Sequence, residues 1–202
     1  MEQSALTELF QQGKFSSIIR ASEKEFAWKE DEYLSKMIAL AYDQYAQQQK
    51  DLEKKKRYEE CARFIFNSII KMNPKSSEAM RGLGLVYLHE YQLSKSLQYY
   101  KKAFRIDGGA LDYLSLGNVY RAKKQKKNAL LWYGKALKIS QLRIPALMNL
   151  MGIYREIGDE RRAAKYESIL KRETKSVPNK SQWKSIKKRV DRAISRKMKT
   201  SS

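Results

Sequence analysis

The chain has 202 residues, 42% of them hydrophobic and 32% charged, with three prolines, nine glycines, one cysteine and a net charge of +20. This balance excludes a disordered chain and an internal disulfide, and no stretch approaches the 18 apolar residues of a membrane-spanning helix. The charge is uneven: residues 171–202 hold twelve Lys and Arg against Glu173 and Asp191, a field that attracts nucleic acid, anionic lipid or acidic protein without choosing among them.

Met1-Glu2-Gln3-Ser4 lacks the basic start and apolar run of a secretory signal, so a cytoplasmic location is expected. Residues 1–29 predict a helical hairpin. Leu6, Leu9 and Phe10 form an apolar stripe, Gly13 suits the turn, and Phe15, Ile18, Ile19 and Phe26 continue the stripe on a second helix. Residues 30–76 predict another pair, with Ile38 and Tyr42 on the first helix and Ala62, Phe66 and Ile69 on the second. Residues 46–57, between them, contain no Gly, Pro or β-branched residue, so both helices are expected to be long.

From residue 77 one pattern is written twice. Leu83-Gly84-x-x-Tyr87, Ser96, Tyr100 and Ala103 recur as Leu116-Gly117-x-x-Tyr120, Ala129, Tyr133 and Ala136, each displaced by 33 residues. Leu150, Tyr154 and Ala163 follow 34 residues beyond Leu116, Tyr120 and Ala129. Hairpins are therefore predicted over 77–109, 110–143 and 144–175. The first opens on Ser76-Ser77-Glu78, whose hydroxyls and carboxylate suit a helix N-terminus, and stops at Gly108-Gly109. In the second, the turn at 121–127 sets five cations side by side. The third departs from the pattern, with Met151 in place of the glycine and Glu167 in place of the aromatic. Beyond Pro178, Trp183, Ile186, Val190, Ala193 and Ile194 recur at three- and four-residue steps, which predicts an amphipathic basic helix at 179–198 before a tail at 199–202.

This repetition resembles the tetratricopeptide repeat (TPR), a helix–turn–helix unit of about 34 residues. The resemblance implies an all-α, right-handed α-solenoid of about five hairpins, with 1–29 a degenerate first unit and 179–198 a capping helix. Counting back from Pro74, at the family's closing-proline position, assigns an insertion of about eleven residues to 46–57. The insertion would be an arm reaching roughly 8 Å past the solenoid edge, either solvated or gripping a partner.

The resemblance also implies a non-catalytic adaptor that binds a partner protein or peptide, one bearing acidic groups, in the concave groove. Family groove positions fall on Arg81, Leu85 and Leu88, on Leu114, Asn118 and Arg121, and on Met148 and Arg155. Leu85, Leu88, Leu114 and Met148 would accept apolar side chains or be buried at repeat junctions. The arginines would pair with carboxylates and Asn118 with peptide backbone. The family's carboxylate clamp is not reproduced, because Leu85 and Pro145 stand where it needs polar residues. Catalytic chemistry has little to draw on: one His89, one Cys61, no H-E-x-x-H, C-x-x-C or phosphate loop. No cofactor or metal is expected.

The alternative is a polyanion-binding module, for nucleic acid or an anionic membrane, using Lys123, Lys124, Lys126 and Lys127 with Lys184, Lys187, Lys188 and Arg189. Trp183, the one aromatic of the tail, belongs to the apolar stripe, which argues against base stacking.

Overall fold

The computed structural model describes residues 3–24 and 27–175. Phe26, the helix expected at 179–198 with Trp183, Lys184, Lys187, Lys188 and Arg189, and the tail at 199–202 lie outside the described residues. The described residues form ten α-helices and two 3-10 turns (Ala27–Glu30 and Ser140–Leu142), with no strand among them. The helices are α1 (Gln3–Gln11), α2 (Phe15–Lys24), α3 (Glu32–Gln47), α4 (Leu52–Met72), α5 (Ser77–His89), α6 (Leu93–Asp107), α7 (Ala110–Ala122), α8 (Lys126–Ala136), α9 (Arg143–Glu156) and α10 (Glu160–Lys175). The fold is thus an all-α helical repeat. No helix among the described residues is long and apolar enough to cross a membrane.

Each helix pairs with the next. One unit, ending at Leu142, contains the hairpins α1–α2, α3–α4, α5–α6 and α7–α8; a second, from Arg143, contains α9–α10. Local chemistry sets the helix ends. The Asp31 carboxylate accepts from Leu34 N (3.0 Å), Asp51 from Glu53 N and Lys54 N (2.9 and 3.2 Å), and Ser76 Oγ from Ala79 N (3.2 Å), each satisfying amides that a helix start leaves orphaned. Gly108, in the left-handed region at φ 58°, closes α6 by donating its N–H to Phe104 O (2.9 Å).

The turns inside four hairpins are the same structure. Gly13, Tyr91, Lys124 and Gly158 all have positive φ (69°, 61°, 58° and 77°). In each case the next residue donates its N–H five residues back: Lys14 to Leu9, Gln92 to Tyr87, Gln125 to Tyr120 and Asp159 to Tyr154, at 2.8–2.9 Å. This is the hydrogen bond of a Schellman close, which glycine adopts without steric penalty and other residues do not. Gly158→Ala is accordingly expected to destabilise the α9–α10 hairpin by about 1 kcal/mol. Urea denaturation followed by helical circular dichroism checks this, and an unchanged or raised midpoint would contradict it.

Inside the hairpins, small residues on the first helix receive aromatic rings from the second. Tyr100 of α6 lies against Gly84 of α5, and Tyr133 of α8, fully buried, against Gly117 of α7. Ser96 Oγ also donates to Gly84 O (2.7 Å). Phe66 of α4 lies against Gly82 in the same way, joining successive hairpins. A continuous core of Ile18, Ile38, Ala62, Phe66, Ile69, Leu83 and Val86 runs through the first three hairpins. A second cluster of Tyr100, Leu116 and Val119 follows. Tyr87 stacks on Tyr99 at 5.5 Å.

The second unit has its own core of Ala146, Leu147, Leu150, Ile153 and Ala163. Tyr154 stacks on Tyr166 at 5.5 Å, and Arg143–Glu173 (2.9 Å) and Arg155–Glu167 (2.7 Å) tie its two helices. Of residues 46–57, Ala46 and Gln47 end α3, 48–51 form the turn and the remainder begins α4. Tyr58 anchors this end on Tyr45 (5.1 Å between rings), and Gln47 Nε2 donates to Glu59 Oε1 (3.2 Å), while Leu52 is left 79% exposed.

Candidate functional site

The first helices of three successive hairpins, α3, α5 and α7, line a groove of about 530 Å³ in the first unit, with Phe66 and Tyr100 reaching in from α4 and α6. A volume of this size suits side chains of a bound segment. The lining is mostly apolar. Tyr33, Met37 and Leu40 come from α3, Leu85 from α5 and Leu111 from α7. Leu111 is 61% exposed and available to a bound group.

The charged groups of the groove are already paired with one another. Lys36 of α3 bonds Glu78 of α5. Arg81 of α5 binds both oxygens of the fully buried Asp112 on α7 (Nε–Oδ1 2.8 Å, Nη2–Oδ2 2.9 Å), and also Asp107 at the end of α6. The guanidinium holds the Asp107 carboxyl below the usual carboxylate range, and its own pKa is raised further by Asp112. Three elements are therefore pinned through one fork-shaped donor, a geometry that lysine could not reproduce. Burial pushes the Tyr100 phenol well up.

No protein-family model matches the chain. Among curated proteins it is similar to the BBSome complex member BBS4 of Bos taurus, 27% identical over 94 residues, which is 46% of this chain and 18% of that protein. The matched stretch thus spans less than a fifth of that relative's length. Among solved structures it is similar to MamA (41-end) from Desulfovibrio magneticus RS-1, with a TM-score of 0.65 at 18% identity, covering 86% of this chain and 93% of that one. It is also similar to TTC0263, a thermophilic TPR protein of Thermus thermophilus, with a TM-score of 0.57 at 20% identity, covering 73% and 74%. The fold is the tetratricopeptide-repeat fold.

Of the groove positions expected from the TPR pattern, Arg81 and Leu85 line the groove. Arg81, expected to meet a partner's carboxylate, is engaged by Asp107 and Asp112. Leu85 and Leu88 also pack, half-buried, against the Tyr100–Leu116–Val119 cluster. Leu114 is half-buried on α7, and exposed Asn118 accepts a hydrogen bond from Tyr133 OH (2.6 Å). Arg121 is half-buried at the end of α7 and has a contact of its own. In the second unit Met148 is 55% exposed, and Arg155 is bound to Glu167. In the basic turn, Lys124 and Lys127 are exposed while Lys123 and Lys126 are half-buried.

Four groove contributors escaped the sequence reading because they come from α3, where the insertion broke the repeat register: Tyr33, Lys36, Met37 and Leu40. Their spacing of three, four and seven residues was a readable helical face. The two residues with most chemical potential are both occupied structurally. His89 Nδ1 lies 2.9 Å from Oδ1 of the buried Asp43, joining α5 to α3. Burial pushes the thiol of half-buried Cys61 up, away from the reactive thiolate.

Proposed function

We propose that the chain is a non-catalytic, cytoplasmic adaptor whose α3–α5–α7 groove holds an apolar side chain or short apolar stretch of a partner protein. The observation that carries this reading is the combination of an open apolar lining with internally neutralised charges. With Lys36 on Glu78 and Arg81 on Asp107 and Asp112, the energy available to a ligand is apolar burial, at about 25 cal/mol per Å². The acidic character expected of the partner draws no support from Arg81 in this arrangement. The engagement of His89 and Cys61 by structural contacts supports an adaptor over an enzyme.

The reading is tested by selecting random displayed peptides on the intact chain and challenging the winners with Leu111→Asp. Leu111 is largely exposed, so the fold is expected to be unaffected, while a buried carboxylate facing an apolar anchor should weaken capture about tenfold or more. Peptides rich in aromatic or aliphatic anchors that lose binding to the variant support the groove. Winners that bind wild type and variant equally would overturn it.

A further inference from the structure

We propose that the outer face formed by α6 and α8 binds the sugar–phosphate backbone of a nucleic-acid duplex. From Tyr91 to Leu142 the chain carries eleven Lys and Arg but only two acids, Asp107 and Asp112. Arg81, on α5, holds both, and Asp112 is wholly buried. The surface of these helices is therefore nearly all cationic. Lys101, Lys102, Arg105, Lys124, Lys135 and Lys138 are exposed, and none forms an ion pair among the described residues.

Both helices pack against α7, which sets these charges on neighbouring elements. At one end Lys123 Nζ donates to Ser94 Oγ and Tyr91 OH to Ala122 O, each at 3.4 Å. At the other, the Phe104 ring of α6 meets the Trp132 ring of α8 at 5.6 Å. Lys102 lies over the Tyr99 ring (5.1 Å) and Lys135 over that of Trp132 (4.5 Å). Such contacts orient an ammonium group without cancelling its charge.

A membrane-adsorbing helix needs a continuous apolar face to insert. Here α6 and α8 turn Tyr100, Ala103, Ala129, Tyr133 and Ala136 into the interior, and the exposed large hydrophobics they offer are the isolated Ile106 and Leu131. What dominates the outside is positive charge, which matches a ligand whose binding is electrostatic. A duplex carries one charge per roughly 1.7 Å of axis with both strands counted, so the 15 residues of α6, about 22 Å long, run beside a stretch of duplex that holds about a dozen phosphate charges on its two strands. Few acidic protein surfaces reach that density.

The test uses the intact chain and a fluorescent mixed-sequence duplex of about 24 base pairs, as DNA and as RNA, titrated between roughly 50 and 200 mM salt. Affinity should fall with salt with a logarithmic slope of about −5. Lys101→Glu, Lys102→Glu, Lys135→Glu and Lys138→Glu together should weaken binding about tenfold or more and reduce the slope by about 3, whatever the sequence of the duplex. Because the C-terminal residues are also basic, a second variant changes Lys184, Lys187, Lys188 and Arg189 to glutamine and should lose less. Stronger binding of one duplex form than the other assigns the ligand as DNA or RNA. Failure to bind either at the lowest salt, equal binding by wild type and the four-glutamate variant, or preference for phosphatidylserine vesicles or polyglutamate at equal salt would each overturn the proposal. The peptide capture that depends on Leu111 should survive the four-glutamate variant, so the two surfaces fail independently.

Discussion

Arg81→Ala should destabilise the first unit by about 3–5 kcal/mol, because it strands a carboxylate rather than merely deleting a contact. Asp112 has no solvent exposure, and both its oxygens accept from the Arg81 guanidinium at 2.8 and 2.9 Å. An unpartnered buried charge is far costlier than a lost surface ion pair. If stranding is the cause, removing both charges should restore most of the loss. Arg81→Met with Asp112→Leu is expected to lie within about 1 kcal/mol of wild type, since an apolar pair has no desolvation penalty. Acid adds an independent signature. Asp107 titrates below its unfolded value of about 3.9, with Arg81 the largest cause. Its stabilising contribution is therefore complete above that unfolded value and is lost as pH falls through the lower folded one. The variant lacks this contribution, so the gap between wild type and Arg81→Ala should narrow from about pH 7 to about pH 3. Urea midpoints at both pH values measure it. Equal losses in the single and double variants would refute the stranded-charge account.

How far the sequence could be read follows from how far apart the cooperating residues lie. The hairpins were legible because their determinants are local and recur at a fixed interval: the glycine of the first helix, and the aromatic sixteen residues later that packs on it, as Tyr100 does on Gly84 and Tyr133 on Gly117. On α5 the same count placed Arg81 and Leu85, which line the groove, whereas of Leu114, Asn118 and Arg121, placed on α7, none is among the lining residues. The α3 wall was not legible, since the added residues before Tyr58 shifted the count. Arg81 was read as a cation for a ligand because its partners are 26 and 31 residues away, where nothing marks Asp107 and Asp112 as buried or adjacent. His89 and Asp43, 46 residues apart, were hidden likewise. Tyr91 and Lys124 occupy left-handed positions with no glycine to announce them. What sequence periodicity reports is which faces are apolar; which charges neutralise one another across repeats depends on the register of helix on helix.

Three glycines of similar appearance are expected to respond very differently to alanine. In a helix interior the exchange by itself gains about 1 kcal/mol. At Gly117 a Cβ would stand 2.4 Å from the Tyr133 ring, which is fully buried and hydrogen-bonded to Asn118, and at Gly82 it would stand 2.2 Å from the Phe66 ring, which is 1% exposed. Neither ring can move without reopening the packing around it, so both substitutions should lose about 2–3 kcal/mol net of the helix gain. At Gly84 the nearest atoms of Tyr100 would be 3.0 Å away, a contact relieved by a shift of a few tenths of an ångström. Gly84→Ala should therefore stay within about 1 kcal/mol of wild type, although larger side chains there would clash. The mechanism carries its own rescue. Phe66→Leu, harmful alone through the volume it removes, should cost less in the Gly82→Ala background, with a coupling of about 1 kcal/mol or more in a double-mutant cycle. Urea denaturation of the three single variants and the Gly82–Phe66 cycle is the measurement. Losses that are equal at all three glycines, or a cycle with no coupling, would show that the ring-on-glycine contact does not set the spacing of these helices.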